Sequence, residues 1–262
     1  MTSRGGLLRH LGRAATRAYP FLALGIVWAL VSRTFDPSPL VLPDQERVLG
    51  SARDLVESGK LWSEFSTTLS RILVSFGLAV LVGSAVGLAM AGSRVLHAGL
   101  RPLMAYFFPT PKVALYPGLL IVLGVGTRST IALGFLEALF PVLLATYAAA
   151  VSVDQKLVWS ARSLGTSSRG VVFGVVLRAA LPGILSGARI ALVGALAGVF
   201  IAELIAGAAG LGHAATVAWR LLVISEVFVY LIVFALTGFT LDRLFLALRR
   251  RLLIWTPEGD ED

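Results

Sequence analysis

Three acidic residues lie inside otherwise apolar stretches of the sequence. They are Glu137, Glu203 and Glu226. A charged side chain in the hydrocarbon of a membrane costs several kcal/mol unless it is paired or hydrated, so each acid is a candidate functional residue. Such a residue could line a pathway for a solute or couple transport to an ion gradient. The alternative is structural pairing with a basic residue, for which the candidates are Arg128, Arg189 and Arg220.

The position of each acid within its apolar stretch helps to separate these alternatives. Glu226 lies near the end of its stretch, where structural pairing is the favoured interpretation. Glu137 and Glu203 lie deeper, and for both of them the two alternatives stay open. We therefore take Glu137 and Glu203 as the candidate residues of a translocation pathway.

Other kinds of chemistry find no support in the sequence. The chain has no cysteine, which excludes disulfides, thiolate metal sites and cysteine nucleophiles. Its three histidines are far apart and lack a ligand partner three or four residues away, so no metal site is predicted. No Gly-x-x-x-x-Gly-Lys-Ser/Thr motif is present, so any ATP would be bound by a different polypeptide. We expect no catalytic residue and no cofactor in this chain.

The composition indicates a membrane protein. Hydrophobic residues make up 56% of the 262 residues and charged residues 15%, against roughly 45–50% and about 25% in a soluble domain. The net charge of +8 could suggest nucleic acid as a partner. The basic residues lie instead at the ends of apolar stretches, which favours a lipid membrane and no nucleic acid.

Six apolar stretches are candidates for transmembrane helices, which need about 20 residues each. They are 18–32, 72–91, 103–126, 129–153, 190–206 and 224–241. The first is short, and a signal peptide is its alternative, but no small-x-small cleavage pattern follows it. The third contains Pro109, Pro111 and Pro117, so it should be broken or kinked. Paired glycines at spacing four, Gly83 with Gly87 and Gly194 with Gly198, favour close helix packing.

The distribution of Lys and Arg predicts the orientation. The side that holds both termini carries about twice as many basic residues as the other side, which places it in the cytoplasm. We expect a multi-pass protein of the cytoplasmic (inner) membrane, with cytoplasmic tails at 1–17 and 249–262 and a permease domain at 18–248. An outer loop at 33–68 should contain an amphipathic helix that lies on the outer surface and stops at Gly59.

The longest cytoplasmic connection, residues 152–182, has the pattern of two short helices joined by a glycine turn. Leu157, Val158, Ala161 and Leu164 form an apolar stripe at helical spacing, and Gly165 interrupts it. A small exposed apolar element without chemistry of its own favours a docking role for a partner protein. The alternative is a helix that lies on the membrane surface and leads back to the next span.

This connection resembles the cytoplasmic "EAA" loop of binding-protein-dependent ABC importer permeases, especially the nitrate/sulfonate/taurine type. The family pattern is Glu-Ala-Ala, three residues, Gly, nine residues, then an aliphatic pair with Leu-Pro. The matching residues are Ala161, Arg162, Leu164, Gly165, Leu181 and Pro182. Similar residues recur in the family's order elsewhere: Leu42-Pro43, Ser58-Gly59-Lys60-Leu61-Trp62, Leu69-Ser70-Arg71, Phe140-Pro141, Ala202-Glu203 and Gly210-Leu211-Gly212.

The resemblance implies which residues would couple the permease to its motor. In the family this loop docks in a groove of the ATPase subunit, which binds ATP and Mg. The corresponding coupling residues are Val158, Trp159, Ser160, Ala161, Arg162, Leu164, Gly165 and Pro182. Trp159 and Ser160 replace the glutamate and an alanine of the motif, and Arg178 stands where this type usually has proline. These departures change the contacting surface but leave the glycine and proline in place.

We therefore predict an all-α membrane protein, a six-helix transmembrane bundle of the ABC importer permease type with a cytoplasmic coupling-helix loop. The predicted function is that of the membrane-spanning subunit of an ATP-driven importer for a small solute delivered by a binding protein. The implied partners are ABC ATPase subunits, a second permease copy or paralogue and an extracytoplasmic substrate-binding protein. The alternatives are a secondary transporter that uses Glu137 and Glu203, and a membrane scaffold that transports nothing.

Overall fold

The computed structural model describes residues 23, 25–32, 34–35, 38 and 40–254, and nearly all of them are helical. Within this part of the chain a helical stretch at 25–32 precedes ten α-helices. These are α1 Gln45–Glu57, α2 Lys60–Gly92, α3 Arg94–Phe107, α4 Tyr116–Leu123, α5 Thr127–Val151, α6 Gln155–Ser163, α7 Ser168–Val171, α8 Leu177–Ala206, α9 Leu211–Arg220 and α10 Ile224–Leu252. A 3₁₀ turn, Lys112–Leu115, precedes α4, and a π-helical turn, Val172–Val176, precedes α8.

Helix α5 forms the centre of the bundle and packs between α2 and α8. Small residues permit these close contacts, as the paired glycines of the sequence predict. A Cβ atom at Gly87 would come within 2.8 Å of the Leu143 carbonyl oxygen, and one at Gly194 within 2.8 Å of the Glu137 carbonyl oxygen. Such contacts leave no room for side chains, so the glycines set the spacing of the three helices.

Four helical stretches are long and apolar enough to cross a membrane, or five if one bent pair counts as a single span. The four are Lys60–Gly92, Thr127–Val151, Ser168–Arg220 and Ile224–Leu252. The bent pair is α3 with the segment Lys112–Leu123, and the two parts meet at 94°. The predicted break within 103–126 is therefore present, whereas its crossing of the membrane as one span stays a prediction. Of the predicted stretch 18–32, residues 23 and 25–32 are described and helical, and the other six lie outside the described residues.

Helix α8 begins earlier than the sequence suggested. It starts at Leu177 instead of Ile190, so Pro182 lies inside the helix and not at the end of a loop. An apolar segment in lipid has to satisfy its backbone hydrogen bonds internally, which keeps the helix continuous on both sides of a proline. The non-spanning connection shrinks from 152–182 to residues 152–167, called the linker segment below. Helix α10 likewise runs to Leu252, beyond the predicted start of the tail at 249.

Helices α1 and α9 form a layer across one end of the bundle, called the cap end. Val48 and Leu55 of α1 are buried against Leu211 and Ala215 of α9 and Tyr230 of α10. Part of the predicted apolar stripe of α1 thus covers protein, whereas Leu49 and Val56 of the same stripe stay exposed. The position of this helix on the outer surface stays a prediction. Gly59 has φ +72° and follows the end of α1, as predicted. Helix α2 begins at Lys60, so the loop predicted at 33–68 ends at Gly59. The linker segment lies at the opposite end of α8, called the linker end.

Candidate functional site

The Glu203 carboxylate lies in a closed cluster at the cap end of α8. Its side chain is 0% exposed and that of Arg71 is 3% exposed, with 2.8 Å between Arg71 Nη1 and Glu203 Oε1. The Thr68 hydroxyl donates to Glu203 Oε2 at 2.8 Å, and the backbone N–H of Gly212 donates to the same oxygen at 3.1 Å. A buried ion pair is stable only when hydrogen bonds satisfy the rest of both groups, and this carboxylate meets that condition.

Arg71 distributes its remaining N–H groups over two other elements. Nη1 donates to the carbonyl oxygen of Ala209 at 2.6 Å, and Nη2 donates to the Thr127 hydroxyl at 3.0 Å. Nε also donates to that hydroxyl, at 3.3 Å. The planar guanidinium therefore connects α2 with α5, with α8 and with the loop at residues 207–210.

The first backbone N–H groups of α9 complete the cluster. The Gly210 N–H donates to the Glu64 carboxylate and the Leu211 N–H donates to the Thr68 hydroxyl at 2.8 Å. With the bond from Gly212 to Glu203, these side chains satisfy donors that a helix start leaves without a helical partner, and the two carboxylates lie at the positive end of the helix. A Cβ atom at Gly210 would lie 2.2 Å from Glu203 Oε1, and Gly210 also has φ +106°. The loop can therefore approach the carboxylate only with glycine at position 210.

The Glu137 carboxylate has a more open environment than that of Glu203. It is 26% exposed, and its Oε2 lies 3.9 Å from Lys112 Nζ. The Lys112 ammonium donates to the Phe108 carbonyl oxygen at 3.0 Å and lies 5.5 Å from the centroid of the Phe140 ring. An apolar cavity of about 290 Å³ at the bend between α3 and α4 is lined in part by Lys112. Glu137 is thus a loosely held acid beside a broken span.

The three arginines proposed as structural partners do not pair with these acids. Arg189 binds Asp242 of α10 instead, with Nε to Oδ1 at 2.8 Å and Nη2 to Oδ2 at 3.1 Å. Glu203 pairs with Arg71, which was named from the sequence only within the family-like segment Leu69-Ser70-Arg71, and Glu137 pairs with Lys112. The available signal was the position of Arg71 at the edge of the stretch 72–91 and of Lys112 inside the stretch 103–126, where each needs a counter-charge.

The linker segment contains the predicted short helix and glycine turn. The Asp154 carboxylate accepts a hydrogen bond from the Lys156 N–H at the start of α6. Gly165 follows the helix with φ +80°, a left-handed conformation that favours glycine. Of the nine residues of α6 none is buried, and the Trp159 side chain is 64% exposed. The predicted coupling residues from Val158 to Gly165 are thus brought together on one small projection, whereas Pro182 lies apart from them inside α8.

Comparison with known proteins gives the family. Residues 54–254 match the family described as the binding-protein-dependent transport system inner membrane component. The chain belongs to this family. It is 34% identical over 254 residues to the taurine transport system permease protein TauC of Escherichia coli (strain K12). The alignment covers 95% of this chain and 92% of that protein. The chain is therefore an ABC transporter permease subunit, and such a subunit is not itself catalytic.

Other permeases of this binding-protein-dependent family support the same assignment. The chain is 30% identical to the putative aliphatic sulfonates transport permease protein SsuC of Bacillus subtilis (strain 168), covering 87% of this chain and 83% of that protein. It is 29% identical to the nitrate import permease protein NrtB of a Synechocystis strain, over 71% and 68% of the two chains. Membership of the family implies ATPase and substrate-binding protein partners.

A solved structure of an ABC importer has the same fold. A chain of the MetNI methionine ABC transporter, in an inward-facing conformation, aligns with a TM-score of 0.52 at 18% identity. The alignment covers 68% of the permease described here and 93% of the MetNI chain. The helical bundle with its four or five candidate spans is therefore that of an ABC importer permease.

Proposed function

We propose that the linker segment is the surface through which this permease is coupled to its ATPase subunits. The observation that carries the proposal is that α6 has no buried residue although the chain keeps it helical, with an N-terminal cap at Asp154 and a left-handed glycine at 165. A capped helix that buries none of its residues in its own chain is suited to a groove in a partner. Trp159 gives it a large amphipathic ring of the kind that anchors interfaces.

The contacting residues in this proposal are Val158, Trp159, Ser160, Ala161, Arg162, Leu164 and Gly165. Pro182 would act differently, because it lies inside α8 beside Gly183, where a Cβ atom would come within 2.6 Å of the Ala149 Cβ. We assign Pro182 to the positioning of α8 on α5 and not to contact with the ATPase. ATP and Mg would be bound by the ATPase subunits, and this chain would hold no cofactor.

The linker end would face the cytoplasm and the cap end the outside, with both termini cytoplasmic and the stretch 18–32 completing six spans. The excess of basic residues on the side of the linker segment supports this orientation. A second permease copy or paralogue would complete the translocation unit, and a binding protein would deliver solute at the cap end. The sequence similarity to taurine, sulfonate and nitrate permeases supports a small anionic solute or a zwitterion that carries a sulfonate.

The surroundings of the two candidate pathway residues, Glu137 and Glu203, favour different roles. Glu137 remains our proposed pathway residue, because its carboxylate is partly exposed and is held by one long contact with Lys112, which lines an apolar cavity. The complete enclosure of Glu203 favours a positioning role for that residue over lining the pathway. No observation supports the ion-coupled secondary transporter, since the relatives of this chain are permeases of ABC transporters.

The test of the proposed coupling surface is removal of the Trp159 ring. Trp159→Ala should weaken association with the ATPase subunits by about 1–3 kcal/mol, as for a modest interface hot spot. Trp62 is a matched control, because it is also exposed (71%) but lies at the start of α2, at the cap end. Pull-down of the ATPase should therefore fall for Trp159→Ala and stay unchanged for Trp62→Ala. Equal binding by both variants would contradict the proposal.

A further inference from the structure

Helix α8 is a single rod that joins the two ends of the molecule. Its 30 residues correspond to about 45 Å at 1.5 Å per residue. The linker segment enters it through α7 and the π-helical turn, and Glu203 lies in its last turn. A displacement of the linker end therefore also displaces Glu203 at the other end of the helix. The cap layer moves with Glu203 only if contacts at the cap end connect it to α8.

The loop at residues 207–210 is held almost entirely by polar contacts. Its sequence is Gly-Ala-Ala-Gly, so it has no large side chain that could anchor it by packing. The Ala209 carbonyl oxygen accepts from Arg71, and the N–H groups of Gly210 and Gly212 donate to Glu64 and Glu203. Arg71 therefore holds both the loop and the carboxylate that the loop encloses.

The cap layer is connected to α8 through this loop and through direct contacts of α9. The Thr216 hydroxyl donates to the Leu204 carbonyl oxygen at 3.1 Å, and Phe200 of α8 packs against the apolar cluster of the cap layer. Helix α9 starts at Leu211, and its apolar face packs against α1 and α10. The guanidinium of Arg71 also reaches Thr127 at the start of α5, so the central helix is part of the same attachment. The four elements α2, α5, α8 and the start of α9 thus meet at one side chain.

We propose that Arg71 is a positioning residue for transport, which fastens the 207–210 loop and the cap layer to the end of α8. This inference rests on the proposed function, in which the linker segment receives the motion of the ATPase subunits. Through Arg71 the movement of α8 moves the face on which a binding protein releases its solute. Without Arg71, the 207–210 loop is released and the cap layer follows α8 less completely, through the remaining contacts of α9 alone.

An arginine of α8 provides the control for Arg71 of α2. Arg189 of α8 forms an ion pair with Asp242 of α10, but the two side chains are 45% and 29% exposed and neither contacts the 207–210 loop. Exposed pairs contribute little to stability, so Arg189→Met should have only a small effect on the fold. It removes the same charged group from a contact between helices without releasing the loop.

The first experiment measures the loop directly in the full-length permease in membranes. The chain has no natural cysteine, so Ala209→Cys provides a single thiol at a half-buried loop position, next to the carbonyl oxygen that Arg71 holds. Arg71→Met should raise the rate of thiol labelling at this position at least about threefold, because local opening exposes the loop. Arg189→Met should leave the rate unchanged. An equal labelling rate in Arg71→Met would overturn the proposal, whatever the outcome of the coupling assays.

The second experiment uses the complex with its ATPase subunits and binding protein in liposomes. Arg71→Met should reduce the stimulation of ATP hydrolysis by the loaded binding protein about tenfold, within the usual range of coupling between sites. Basal hydrolysis and ATPase pull-down should be unchanged, and these two measurements report on the linker segment alone. If the permease without any substitution does not pull down the ATPase subunits, the proposed function is wrong, but the labelling result remains valid.

A double variant separates positioning from a structural role. Arg71→Met with Glu203→Met replaces both buried charges by apolar side chains of similar length, which restores stability in many buried pairs. We expect normal expression and thermal stability but stimulation as low as in Arg71→Met. If the double variant recovers full stimulation together with its stability, Arg71 acts only by neutralising Glu203 and the proposal is wrong.

Discussion

The two ends of α8 differ in how their polar and apolar groups are satisfied. At the cap end the Glu203 carboxylate, the Arg71 guanidinium and the first N–H groups of α9 find partners within the chain. At the linker end α6 has no buried residue and displays Trp159. The buried charges of the cap end are therefore satisfied within the chain, whereas the linker end leaves α6 exposed, as our proposal of a docking surface requires.

The largest difference between the two ends is expected when a glycine at each end is replaced by alanine. Gly210 and Gly165 both have positive φ, but a Cβ atom would meet the Glu203 carboxylate at Gly210 and nothing within 4 Å at Gly165. Gly210→Ala should cost roughly 1–3 kcal/mol of backbone strain and a similar amount for overpacking. We expect low expression and a large fall in thermal stability in detergent. A Gly210→Ala protein of normal stability would contradict the enclosure of Glu203.

Gly165→Ala should be milder for the fold and more harmful for coupling. The only cost is the left-handed backbone, roughly 1–2 kcal/mol. The substitution should change the angle between α6 and α7 and thereby lower ATPase association, measured by pull-down, while thermal stability changes little. If Gly165→Ala destabilises the subunit as much as Gly210→Ala, the linker end contributes more to the fold than its exposure indicates.

The orientation of the two ends can be measured with single cysteines. Leu49 of α1 and Leu164 of the linker segment are both exposed, and the chain has no natural cysteine. We expect an impermeant thiol reagent to label Leu49→Cys from outside intact cells and to label Leu164→Cys only after the cells are opened. The opposite pattern would reverse the assignment of the two ends and remove the docking proposal.

The smallest effect on stability is expected for Glu137, which belongs to neither end. Its contact with Lys112 is 3.9 Å long and the carboxylate is partly exposed, so Glu137→Gln should change stability by less than about 1 kcal/mol. A pathway residue should nevertheless change the KM or the rate of solute uptake in liposomes. Taurine and ethanesulfonate, which differ by one ammonium group, are suitable probes. Unchanged uptake of both at normal expression would assign Glu137 to a structural role.

The features that the sequence predicted are those with a local signal. A run of apolar residues predicts a span, three prolines predict a break, and a glycine at the end of an apolar stripe predicts a turn. None of these predictions needs the rest of the chain. The prediction of the bend near Pro109 and Pro111 and of the turn at Gly165 rested on such signals, and the structure has both.

The features that the sequence did not predict depend on contacts between distant residues. Arg71 and Glu203 are 132 positions apart, and nothing near either residue identifies the other. The apolar stripe of α1 looks the same whether it covers lipid or α9, so periodicity alone could not place this helix. The start of α8 was missed because Pro182 is a helix breaker in water, whereas apolar surroundings keep the helix intact.

The distance between Arg71 and Glu203 along the chain also imposes an order on biosynthesis. At about 5–20 residues per second, roughly 7–26 seconds separate the synthesis of the two residues. During this interval α2 is already available for insertion, but its arginine has no carboxylate to neutralise it. The nascent subunit must therefore hold Arg71 at the membrane surface by snorkelling until α8 arrives. Closure of the cap end is consequently a late step of assembly, which waits for the second half of the chain.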